Sequence, residues 1–197
     1  MSEISPHVYC ISFTIFFVLI LLYIIQSHER FLEMKHSEIL DMNIGIQETY
    51  TQPDQAFKLL ETNFNKVYKF LNELDNKYPD DEDVQRLIRR MDNVKIEESK
   101  NEAGTSSYTV NKGELMSICV RYKPELSQFH DNNTLWFVLM HEIAHVMSIT
   151  EGHGEEFMKN FKFLLKESEK MNYYVPVDYS NNNITYCGVQ VTNNPYF

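Results

Sequence analysis

The chain has 197 residues, 43% of them hydrophobic and 13% aromatic, which is enough for one ordinary core and not two. Net charge is −10, from 28 acidic against 18 basic residues, and the densest basic cluster, Arg86, Arg89 and Arg90, is interleaved with apolar residues. This argues against a nucleic-acid-binding surface, which shows itself as clustered Lys and Arg.

Residues 1–7, MSEISPH, form a short tail without Lys or Arg. Residues 8–25, VYCISFTIFFVLILLYII, follow without a charge. As a helix this run is about 27 Å long, enough for the hydrocarbon core of a bilayer. It lacks the basic n-region and small-residue cleavage site of a signal peptide, so an uncleaved transmembrane helix is expected. Arg30 and Lys35 follow the run and no Lys or Arg precedes it. The positive-inside rule then places the remainder of the chain in the cytoplasm, as a single-pass protein of a host or virion membrane.

Residues 26–52 are mostly polar, with no sustained period, and read as a juxtamembrane stalk. The domain proper is expected over 53–197. From Pro53, Phe57, Leu60, Phe64, Val67, Leu71 and Leu74 recur at three and four, which predicts a helix ending near Tyr78-Pro79. A second helix spans about Asp81 to Met91, with Val84, Leu87, Ile88 and Met91 on one side. A short strand is expected at Val94 to Glu97. Ser107 to Val110 and Leu115 to Tyr122 flank Asn111-Lys112-Gly113 and read as a hairpin. Asp131 or Asn132 caps a helix running to about Thr150, which Glu151-Gly152 stops. A last helix, about Gly154 to Met171, buries Phe157, Phe161 and Leu164. The tail from Tyr173 reads as irregular. Of three cysteines, Cys10 lies in the apolar run; Cys119 and Cys187 have no CxxC partner and read as free thiols in a reducing compartment.

The chemistry lies in His141-Glu142-Ile143-Ala144-His145, followed by Gly152-His153-Gly154-Glu155-Glu156-Phe157. Two histidines four apart share one helix face, and Glu142 projects beside them. Such a pair holds zinc, and the glutamate can hold and deprotonate a water. The surrounding residues, Leu135 to Met140, Ile143, Ala144, Val146 and Met147, are apolar on nearly every side, so the helix is buried. Two histidines and a glutamate buried without partners would cost several kcal/mol. A surface cluster of hydrogen-bonded side chains would not sit in such a helix.

The third ligand has three candidate patterns. HExxHxxGxxH fails, because Ser148 stands where the glycine belongs and Glu151 where the histidine belongs. A glutamate from the following helix is available in Glu155, Glu156, Glu167 or Glu169. His153, eight residues after His145 and flanked by glycines that let the backbone double back, is preferred. Three histidines leave one tetrahedral position open for water, as a catalytic site requires.

HEIAH followed by GHGEEF resembles the SprT/WLM-type zinc metallopeptidases, marked by HExxH and then HGxxF or HGxxW; the specific match covers Leu135 to Leu165. The tail DYSNNNITYCGVQVTNNPY and the hairpin TVNKGELMSICVR resemble small predicted zinc peptidases of large DNA viruses. The resemblance implies an α+β, zincin-like single domain, with His141, His145 and His153 as zinc ligands and Glu142 as general base. Family members acting on DNA-bound proteins carry basic or zinc-ribbon segments that this chain lacks, so that role does not carry over. The expected function is a membrane-anchored zinc peptidase acting on a protein or peptide. His130, Tyr179 and Tyr186 are candidates to stabilise the oxyanion, and the strand Leu115 to Tyr122 to line the cleft's upper rim. The alternative is a non-catalytic or latent zinc-stabilised membrane or virion assembly protein.

Overall fold

The structure, a computed structural model, describes residues 14–21, 32–100, 106–123 and 125–197. Residues 14–21 of the apolar run are helical (α1) and exposed. Among the described residues no helix is long and apolar enough to cross a membrane. The rest of the expected span, 8–13 and 22–25, lies outside the described residues.

The stalk expectation is corrected over its described part. Leu32–Ser37 (β1) and Met42–Gln47 (β2) form an antiparallel hairpin. Ile44 and Ile46, two apart on β2, point into the core and are fully buried. The domain therefore begins by residue 32, not at 53.

Pro53–Lys77 (α2) starts with Pro in its first turn, where the missing N–H costs nothing. It buries the predicted stripe of Leu60, Phe64, Val67, Leu71 and Leu74. Glu82–Met91 (α3) is capped by Asp81, whose carboxylate accepts from the Asp83 and Val84 amides at 3.0 Å each. Lys95–Glu98 (β3) pairs in parallel with both β2 and Leu115–Ile118 (β5), and Tyr108–Val110 (β4) closes the sheet antiparallel to β5. The order is β1-β2-β3-β5-β4, which leaves β4 at an edge. Gly113 of the β4–β5 turn has φ 114°, and a Cβ there would stand 3.0 Å from the Arg90 carbonyl oxygen, so only glycine fits.

Asn132–Met147 (α4) and Glu155–Lys170 (α5) complete the domain. α4 is buried on nearly all sides; Trp136 meets Phe70 edge-on at 5.7 Å and stacks on Tyr173 at 5.0 Å. The tail, expected to be irregular, forms a second small hairpin, Ile184–Tyr186 (β6) and Val189–Val191 (β7). Its two-residue loop, Cys187-Gly188, has φ 49° and 83°, the left-handed pair that a type I′ turn requires. The free-thiol expectation is also corrected: Cys187 is disulfide-bonded to Cys119, just beyond β5. The two residues are 68 apart in sequence, so only the folded topology brings them together.

Candidate active site

The site is built on α4. Asp131 caps its start, accepting from the Asn133 and Thr134 amides at 3.0 Å each and from the Thr134 hydroxyl at 2.7 Å. The helical repeat places the rings of His141 and His145 5.0 Å apart. After Ser148 the chain turns back, and His153 Nε2 comes to 3.1 Å from both His141 Nε2 and His145 Nε2. Phe157, on the first turns of α5, packs its ring against all three imidazoles at 4.4–4.9 Å. Burial, reinforced by the neighbouring imidazoles, holds His141 down to about 3; the same causes hold His145 at about 4. Both are therefore neutral at pH 7 and offer nitrogen lone pairs.

Glu142 is buried, with 4% of its surface exposed, and burial pushes its carboxyl up to about 7. The Thr109 hydroxyl, on edge strand β4, donates to Glu142 Oε2 at 2.8 Å. These groups line a cleft of about 800 Å³. Its lining includes Tyr108 and Thr109 of β4, and Val189, Val191 and Asn193 of β7 and the residues after it. The tail is thus a wall of the cleft. It is held at one end by the disulfide and by Tyr186, whose hydroxyl lies 2.7 Å from Ser107 Oγ and donates to the Cys119 carbonyl at 2.5 Å. At the other end Asn194 donates to the Tyr174 hydroxyl at 2.9 Å and the Val177 carbonyl at 2.8 Å.

His141, Glu142, His145 and His153 all meet at this cleft. Of the oxyanion candidates, Tyr186 lines it, but its hydroxyl is engaged as described. His130 is buried between the rings of Tyr122 and Tyr186, at 4.0 and 4.6 Å, and Tyr179 packs on Phe137 at 4.9 Å; neither lines the cleft. The expected rim strand is corrected too: β5 is interior, and β4 is the strand at the cleft.

None of the competing glutamates belongs to the histidine cluster. Glu167 is buried between Lys77 and Lys170, at 2.5 and 2.6 Å, and Glu169 accepts from the Tyr196 hydroxyl. Glu155 is exposed, and Glu156 bonds the Ile149 and Thr150 amides. Thr109, the tail wall and the work of Glu156 were not foreseen. Thr109 carries no sequence signal, whereas the glutamate three residues after His153 sits within the quoted motif.

No protein-family model matches the chain. Over 170 residues it is 29% identical to the uncharacterized protein R325 of Acanthamoeba polyphaga mimivirus, an alignment covering 86% of this chain and 76% of that protein. Over 78 residues it is 36% identical to the uncharacterized protein 136R of Invertebrate iridescent virus 6, covering 39% and 43% of the two chains. Among solved structures it is similar to Wss1 from Saccharomyces cerevisiae, with TM-score 0.50 and 14% identity, over 64% of this chain and 85% of that one. The fold is thus Wss1-like, and the sequence relatives are viral proteins.

Proposed function

We propose that this chain is a zinc-dependent peptidase, anchored to a membrane by residues 8–25, that cleaves a protein or peptide substrate. One observation carries the reading: three imidazole nitrogens converge beside a buried glutamate in an open cleft. Nitrogens bound to tetrahedral zinc at about 2.0–2.1 Å lie about 3.3 Å from one another. His153 Nε2 stands 3.1 Å from each of its partners, close to that spacing, and the three ligand atoms all lie within 4.8 Å of one another, so His141, His145 and His153 are the residues that would hold the ion. The Wss1-like fold supports the SprT/WLM-type reading.

Zinc bound there would supply Lewis acidity, polarising the scissile carbonyl and lowering the pKa of water. The chain's own residues do the rest. Glu142 accepts the proton of the attacking water and passes it to the leaving amine. Thr109 keeps that carboxylate in one orientation by donating to Oε2. The edge of β4, which pairs with no further strand among the described residues, gives an extended substrate a strand to lie along. A structural zinc site has no use for Glu142 or for an open cleft, which favours the catalytic reading over the non-catalytic alternative.

Glu142→Gln tests the reading. The amide keeps the shape but cannot take a proton, so peptide cleavage should fall about 10²–10⁴-fold while bound zinc and thermal stability hold. Unchanged peptide cleavage by the folded, zinc-loaded variant would refute it.

A further inference from the structure

The turn that delivers His153 is held from both sides. The side chains of α3 bind its carbonyls: Arg86 Nε donates to Met147 O at 3.0 Å, and Arg90 Nη1 donates to Val146 O at 2.6 Å and Ser148 O at 2.9 Å. Its amides are held by one carboxylate. Glu156 Oε1 accepts from the Ile149 amide at 2.8 Å, and Glu156 Oε2 accepts from the Thr150 amide at 2.8 Å and the Thr150 hydroxyl at 2.6 Å. Glu156 lies in the first turn of α5, whose N-cap, Gly154, makes no side-chain cap. A glutamate there ordinarily serves its own helix end. This one reaches back across the loop instead, and the bonds it accepts hold its carboxyl down at about 2. The residues between the two anchor points are Glu151 to Glu155, with His153 in the middle and left-handed Gly152 before it.

We propose that Glu156 is the positioning residue of the third ligand: by clamping Ile149 and Thr150 to the start of α5, it fixes where the Nε2 atom of His153 stands. The inference rests on the zinc reading. It assigns Glu156 no contact with the metal, in contrast to its standing as a possible ligand. His141 and His145 are fixed by α4 itself, whereas His153 is exposed and comes from a loop. Without the clamp the loop keeps the Lys112 bond to the Thr150 carbonyl, at 2.6 Å, but loses the amide bonds that tie it to the start of α5. Substitutions of groups that orient metal ligands typically lower metal affinity 10–100-fold.

The test uses the full chain, loaded with Zn²⁺ or Co²⁺ alone. Glu156→Ala should weaken zinc 10–100-fold in a chelator competition and alter the visible Co²⁺ spectrum, as expected when one imidazole leaves a tetrahedral set, while the metal-free unfolding temperature stays near wild type. Glu156→Gln, which keeps one acceptor oxygen, should fall between. Exposed Glu155→Gln should match wild type. Should the alanine variant fail to fold, the glutamine variant decides: weaker zinc and an altered spectrum support the clamp, and wild-type values overturn it. Wild-type affinity and spectrum in a folded Glu156→Ala overturn the clamp alone. A wild-type chain that binds neither ion overturns the zinc reading and the clamp with it.

Discussion

His130 lies outside the histidine-lined cleft yet bears on its shape. Its ring is sandwiched between Tyr122 and Tyr186, and its Nε2 is 3.4 Å from the Cys187 sulfur. Burial pushes it down to about 4 from the ordinary 6.5. The folded chain therefore binds fewer protons than the unfolded chain between those values, and stability rises with pH across that window. Its contribution is complete above about pH 6.5 and falls as pH drops toward 4, by about 2 kcal/mol for this partly screened ring. Urea unfolding at pH 7.5 and at pH 4.5 should show the loss, and His130→Phe should reduce the difference. An equal acid loss in the variant would assign it to other groups.

At the level of elements, legibility in the sequence followed locality. α2, α3 and α5 declare themselves through a 3.6-residue period and through caps or turn residues within a few positions, as Asp81 and Pro53 show. The HExxH pair is legible for the same reason, since four residues on a helix fix the geometry. The β1–β2 hairpin was not, because LEMKHS alternates poorly and β2 gains its meaning from β3, about fifty residues on. The disulfide and Thr109–Glu142 pairings are equally non-local, spanning 68 and 33 residues. From that separation, the Cys119–Cys187 link is worth about 4 kcal/mol in chain entropy. Cys119→Ser should lower the urea midpoint accordingly and speed amide exchange in β6 and β7 more than in α4. Unchanged exchange in the tail would mean that Tyr186 and Asn194 hold it without the link.

For the whole molecule, the sheet sets the minimum folding unit. A chain starting at residue 53 loses fully buried Ile44 and Ile46, each worth about 2–5 kcal/mol, a large share of a domain's stability. It also strips Gln47 from Glu98, to which the Gln47 amide donates at 3.0 Å, beside the buried Glu98–Arg121 ion pair. Residues 32–197 should fold cooperatively and 53–197 should not, as circular dichroism during urea unfolding would show. The anchor remains a proposal from sequence, with the domain on the cytoplasmic side. The full chain should resist carbonate extraction, whereas 32–197 should be released. Asn183, exposed ahead of β6 in Asn183-Ile184-Thr185, should stay unglycosylated on that side. The disulfide, a bond favoured in oxidising compartments, pulls the other way, and glycan at Asn183 would reverse the orientation.

The tail wall also imposes an order on the assembly of the site. A ribosome makes His141, Glu142, His145 and His153 before it makes any of β6 or β7. A nascent chain can thus gather its triad while one flank of the cleft is still missing. The finished contour waits for Cys187 to emerge and find Cys119, so completion of the cleft is a later event, separable in time from assembly of the histidines.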